Sequence, residues 1–156
     1  MRRALHVELK SARPFAHLEE EAHLSIVRTA ALLELAMARM LKAHDLTPTQ
    51  YNVLRILRGA GPDGLCRYEI GERLLWPVPD VTRLLDRLTE IGLIGRQRSD
   101  EDRRVVRTFI TEAGLARLRA LDEPVRAFHH DRLAGVSRRD LKAMVDTLAE
   151  IRAAGG

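Results

Sequence analysis

The side chains best suited to chemistry in this sequence form two adjacent groups: Thr82, Arg83 and Arg87 in VTRLLDRLTE, and Arg103 and Arg104 in SDEDRR just beyond it. Their chemistry is recognition. A guanidinium is planar, permanently charged and carries its N–H donors in a fork that fits a phosphate or the major-groove edge of guanine. Asp100, Glu101 and Asp102 nearly neutralise the second group. Asp102 is thereby a candidate for holding one arginine while the other reaches outward, and the three acids limit indiscriminate affinity for phosphates. No nucleophile elbow, phosphate loop or dinucleotide motif accompanies these residues, so nothing in the sequence points to an enzyme.

Hydrophobic spacing supplies the elements that must position them. Val81, Leu84, Leu85, Leu88 and Ile91 recur at helical spacing and, at about 100° per residue, form one apolar face. Pro79, Thr82, Arg83, Asp86 and Glu90 point the opposite way, with Asp80 and Arg87 on the flanks. Alone, that polar face would read as a solvated surface. The residues immediately downstream give it a partner element. Gly92 stands where helices commonly end in a left-handed residue, and 94–98 and 105–110 read as two short strands around the turn-prone SDEDRR. A polar helix face joined directly to a hairpin with arginines near its tip is the build of a winged helix-turn-helix, in which the helix enters a major groove and the wing reaches the adjacent backbone or minor groove.

Upstream, Thr47-Pro48-Thr49-Gln50 predicts a helix start with a capping box, and Leu46 can staple against Tyr51. Val53, Leu54, Ile56 and Leu57 give that helix its core stripe, and the glycines around Pro62 end it. Leu65 and Cys66 form a minimal strand beside the wing. Residues 67–75 make a short helix, and Trp76-Pro77-Val78-Pro79 a sharp connection into the recognition stretch; the two helices form a helix-turn-helix unit. Downstream, Thr111 caps a helix with Leu115, Leu118, Leu121, Val125 and Phe128 along one stripe, bent at Pro124. Ser137 starts the last helix, whose apolar face is Leu141, Met144, Val145, Leu148 and Ile151.

The ends of the chain carry more apolar surface than this unit can bury. From about residue 16 to 42 a long helix has leucines, methionines, Ile26 and Val27 nearly all round it, interrupted by Arg28, Glu34 and Arg39. Such a helix needs burial beyond one small domain, which together with the last two helices points to a homodimer built from both chain ends. Residues 1–15 are an N-terminal arm whose pattern fits a short strand, a helical arm or a disordered segment. The expected organisation is therefore this arm, a dimerisation helix at 16–44, a winged helix-turn-helix domain at 45–112 and C-terminal dimerisation helices at 113–156. The fold class is all-α with a small β wing.

Composition narrows the setting. Of 156 residues 46% are hydrophobic and 31% charged, the balance of a globular chain. Among the 26 basic residues only Lys10, Lys42 and Lys142 are lysines; this suits phosphate recognition, although a codon bias toward arginine would produce it equally well. The net charge of +4 permits nucleic acid as a partner without requiring it. No apolar run approaches the roughly 20 residues a membrane span needs, and the N-terminus lacks a signal core. The expected setting is the cytoplasm.

The single cysteine, Cys66, excludes an internal disulfide and reads as a small packed residue ahead of an oxidation sensor. His129 and His130 diverge by about 100° on a helix and cannot chelate one ion together. No metal or cofactor is expected.

The stretch VTRLLDRLTEIGLIGRQRSDEDRRVVRTFITEAG, within the order of helices around it, resembles the MarR family of bacterial winged-helix regulators over about residues 16–153. The resemblance implies an obligate homodimer that binds a pseudo-palindromic operator on double-stranded DNA, commonly as a repressor released by a small-molecule effector. By position it also implies that Thr82 and Arg83 meet the major groove, that Arg104 enters the minor groove and that Asp102 orients basic residues there. The turn WPVP departs from the small or polar residues that the family more often has there. The alternative function is a winged module that works by protein contact with weak or no DNA binding. The effector and its binding residues are not legible.

Overall fold

The computed structural model describes residues 4–98 and 104–155, and local sequence explains where most elements begin and end. The N-terminal segment forms a four-residue helix, α1 (Leu5–Glu8), followed by the long α2 (Leu18–Lys42). Then come α3 (Pro48–Ala60), β1 (Leu65–Cys66), α4 (Arg67–Arg73), α5 (Val81–Glu90), β2 (Ile94–Arg98), β3 (Val106–Ile110), α6 (Glu112–Leu133) and α7 (Arg138–Ala154). The result is mostly helical, with one small antiparallel sheet in the order β1-β3-β2. Leu65 pairs with Thr108, and Ile94 with Ile110, so the minimal strand lies beside the wing.

The predicted capping box is present at α3. The Thr47 hydroxyl accepts from the Gln50 N–H at 3.2 Å, and the Thr47 N–H donates to Gln50 Oε1 at 2.9 Å. Thr111 and Ser137 cap α6 and α7 in the same way, through the N–H groups of Gly114 and Asp140. These bonds satisfy donors that the first helical turn leaves without partners.

Packing centres on α3. Val53, Leu54 and Leu57 are fully buried, against Leu41 of α2, Ile70 of α4, Leu85 and Leu88 of α5, Leu93 and Ile94 at the wing root, and Leu118, Leu121 and Val125 of α6. The recognition helix departs from expectation at its C-terminal end. It begins at Val81, because the Asp80 carboxylate takes the Arg83 N–H at 2.9 Å and caps it there. Ile91, expected in the core, is 51% exposed. It is the C-cap residue, and the chain turns at Gly92 (φ 75°) before the next buried side chain, Leu93.

That turn is a Schellman closure: the Gly92 N–H bonds the Thr89 carbonyl at 2.9 Å and the Leu93 N–H bonds the Leu88 carbonyl at 3.0 Å. The far side of the same turn receives α6. Thr111 donates its N–H to the Leu93 carbonyl at 3.1 Å and its hydroxyl to the Gly92 carbonyl at 2.7 Å. Gly114, in the first turn of α6, lies so close that a Cβ there would land on the Leu93 carbonyl and the Ile110 side chain. Gly114→Ala should therefore destabilise the fold by about 2 kcal/mol, because the clash involves backbone and a packed side chain. Thermal unfolding checks this; at this chain length each kcal/mol lowers the midpoint by roughly 2–4 °C.

Candidate nucleic-acid interface

The outward face of α5 presents Thr82, Arg83, Asp86, Arg87, Thr89 and Glu90, all exposed, while Leu85 and Leu88 hold its other face in the core. The hydrogen bonds divide these residues sharply. Thr82 accepts a hydrogen bond from Arg67 of α4 at 3.0 Å, and Asp86 holds Arg96 of β2 at 2.7 Å. Among the described residues no hydrogen bond or ion pair engages the side chains of Arg83 and Arg87. Arg83 therefore projects from the first turn of the helix with its full set of donors available.

A cleft separates α5 from the wing, and Arg67, Tyr68, Thr82, Arg96, Arg104 and Val106 line it. Thr82 and Arg104 are thus brought together across one groove. Arg87 is not part of it; it borders a depression on the opposite flank with Lys42, Asp45, Leu84 and Ile91. Arg103 and Asp102, assigned to the wing tip and to orienting it, lie outside the described residues.

Electrostatic detail supports the cleft from beneath. The Glu69 carboxylate accepts the Cys66 N–H at 2.7 Å, with Arg107 3.7 Å away. The Cys66 N–H and thiol, helped by Arg107 and Arg73, hold the Glu69 carboxyl below its usual range. Arg107 also reaches the Gly64 carbonyl at 3.3 Å, tying β3 to the loop before β1. On the rim, the hydrogen bond from Tyr68 to the Glu72 carboxylate raises the phenol's pKa above its ordinary value. The cysteine accordingly serves as the cap of α4.

Sequence reasoning missed three of these residues. Arg67 and Arg96 find their partners across turns, fifteen and ten positions from Thr82 and Asp86 respectively, with no local pattern to announce them. Asp80 was legible: an aspartate directly before a helical apolar stripe is a cap signal.

A second feature lies beside the connection into α5. A cavity of about 290 Å³ is walled by Leu33, Glu34 and Met37 of α2, Leu75 and Trp76 of the connection into α5, and Phe128, His129 and Arg132 of α6. The Arg132 guanidinium sits 5.5 Å from the Phe128 ring centre. The Leu75 N–H is fixed by Asn52 Oδ1 at 2.9 Å.

The arrangement of a capped helix, a cleft and a three-stranded wing has close counterparts. The sequence profile of the MarR family matches residues 46–106. The HTH-type transcriptional regulator TtmR of Methylorubrum extorquens (strain PA1) is 31% identical over 137 residues, covering 86% of this chain and 67% of that protein. The crystal structure of a MarR transcription factor from Planctomyces limnophilus is 37% identical, with a TM-score of 0.67 over 87% of this chain and 98% of that one. The chain belongs to the MarR family. A further match is the transcriptional repressor CouR, solved bound to a 23-mer DNA duplex: it is 29% identical, with a TM-score of 0.78 over 91% of this chain and 99% of CouR.

The cap that starts the MarR recognition helix gives a direct check on the site's construction. Asp80→Ala should cost about 1 kcal/mol by leaving the Arg83 N–H without its partner. Urea unfolding should show this as a lower midpoint with an unchanged slope.

Proposed function

We propose that this protein is a DNA-binding transcriptional regulator, a repressor that as a homodimer grips a pseudo-palindromic operator in the cytoplasm and responds to a small organic effector. The single observation that carries the reading is the pairing of α5, its polar face outward, with an arginine-bearing wing across one cleft. Family membership and the regulatory roles of the relatives support it and speak against both an enzyme and a winged module working by protein contact alone.

In this reading α5 enters a major groove and Arg83, at its first turn, addresses base edges, while Arg104 and the adjacent Arg103 bring the wing to the neighbouring minor groove. Arg87, on the opposite flank, faces the outer backbone of the same groove. Asp102 orients the wing arginines. Arg83→Ala should cost about 1–3 kcal/mol on the operator and relax the base choice at one position per half-site, with little effect on scrambled DNA. Arg104→Ala should weaken operator and scrambled duplex more evenly and flatten the salt dependence by about one unit per wing contact. Titrations at several salt concentrations separate the two. If neither substitution changes affinity, the proposal fails.

The dimer rests on what α2 and α7 leave uncovered. Val27, Leu32 and Leu35 of α2 and Met144, Val145 and Ile151 of α7 are all exposed large apolar residues, and α7 has no buried residue in the single chain. A second copy covering both helices removes that surface from water. Leu148→Asp, on the same face of α7, should yield a monomer or a destabilised chain by placing a charge in the interface. Sedimentation at micromolar concentration reads the outcome.

The cavity between α2, α6 and the α4–α5 connection is the proposed effector site. Its aromatic and aliphatic walls suit a small organic molecule. An occupant there touches Trp76, and Pro77-Val78-Pro79 leads directly from Trp76 to the Asp80 cap. It would act by favouring a spacing of the two recognition helices that no longer matches one DNA turn, about 34 Å.

A further inference from the structure

The cleft between α5 and the wing carries an inference about which residue meets the DNA backbone; it rests on the DNA-binding reading above. A helix in a major groove and a wing in the adjacent minor groove are separated by one phosphate strand. That strand must cross the cleft between them.

The cations on its path are not equivalent. Arg96 is neutralised by Asp86 at 2.7 Å. Arg67 differs. Its guanidinium donates through one nitrogen to the Thr82 hydroxyl at 3.0 Å, and among the described residues no carboxylate pairs with it. A hydroxyl is a neutral acceptor, so Arg67 keeps its whole charge and most of its donors while its direction is fixed. The bond spans the two helices of the helix-turn-helix, joining the first residue of α4 to the second of α5.

We infer that Arg67 is a phosphate-binding residue of the DNA interface, held over the cleft by Thr82, which acts as a positioning residue and not as a reader of bases. This reassigns Thr82, whose position in the sequence matches a major-groove residue of the family. A phosphate contact carries no sequence information, and it contributes to the salt dependence of binding through released counterions.

The test uses the full-length protein, an operator duplex selected from random-sequence DNA, and a scrambled duplex, titrated at several salt concentrations. Arg67→Ala should weaken both duplexes by the same factor, about tenfold per half-site, as expected for losing a charge-assisted bond. It should also reduce the slope of log affinity against log salt by about one unit per half-site. Arg67→Gln, which keeps a polar side chain but carries no charge, should lose the same slope. Thr82→Val should weaken both duplexes alike without altering the preferred sequence, Thr82→Ser should behave as the unsubstituted protein, and Arg67→Ala with Thr82→Val should be no weaker than Arg67→Ala alone. The inference is overturned if Thr82→Val shifts base preference at one position while scrambled DNA is bound as before, or if Arg67→Ala and Arg67→Gln leave the slope unchanged. An unsubstituted protein that binds neither duplex overturns the regulator reading itself, a result distinct from either of these.

Discussion

The backbone of Gly92 and Leu93 is the constraint on which the rest of this structure depends. The two N–H groups close the recognition helix, and the two carbonyls accept from Thr111, which in turn caps α6. The Leu93 side chain is buried beside Leu88 and Ile94. One turn of chain thus sets the end of α5, the start of the wing and the start of the longest C-terminal helix. The left-handed φ at Gly92 and the bare Cα of Gly114 are what allow three elements to meet so closely. In the proposed reading the helix and the wing address neighbouring grooves of one duplex, which requires their separation to be fixed before DNA arrives. Fixing it here avoids an ordering cost on binding.

The other end of the recognition helix is held differently. Asp80 caps it, and the prolines at 77 and 79 restrict the connection behind it. Trp76, at the start of that connection, forms part of a cavity wall shared with α2 and α6. The recognition helix is therefore anchored to the wing at its C-terminus and to the cavity at its N-terminus. In this reading a change in cavity occupancy has a short, stiff path to the DNA-reading face, and α2, which walls the cavity together with α6, also carries apolar surface that the single chain leaves open. Effector response and dimer geometry then share one element, α2.

Much of this was legible because it is local. Thr47 with Gln50, Thr111 with Gly114 and Ser137 with Asp140 are contacts within a few residues, and Gly92 declares a helix end by its type. The alternation of the wing strands and the pairing of Leu65-Cys66 beside them came from pattern in the same way. Ile91 was misread because periodicity continues past the point where the backbone stops being helical. The division of labour within the site was not legible at all. Whether Thr82, Asp86 and Arg96 face a ligand or one another depends on how α4, α5 and β2 are set in space. Helical spacing marks the polar face of α5 but cannot say which of its groups are already engaged. The N-terminal segment, whose pattern left three conformations open, forms the short helix α1.

Two copies of α5 and its wing, on this account, read one duplex at a fixed spacing. Hydroxyl-radical and methylation footprinting of the unsubstituted protein on a selected operator tests that claim most directly. The predicted result is two protected major-groove segments about one helical turn apart, each flanked outward by a protected minor-groove stretch under the wing. A single protected segment, or major-groove protection with the flanking minor grooves fully reactive, would contradict it.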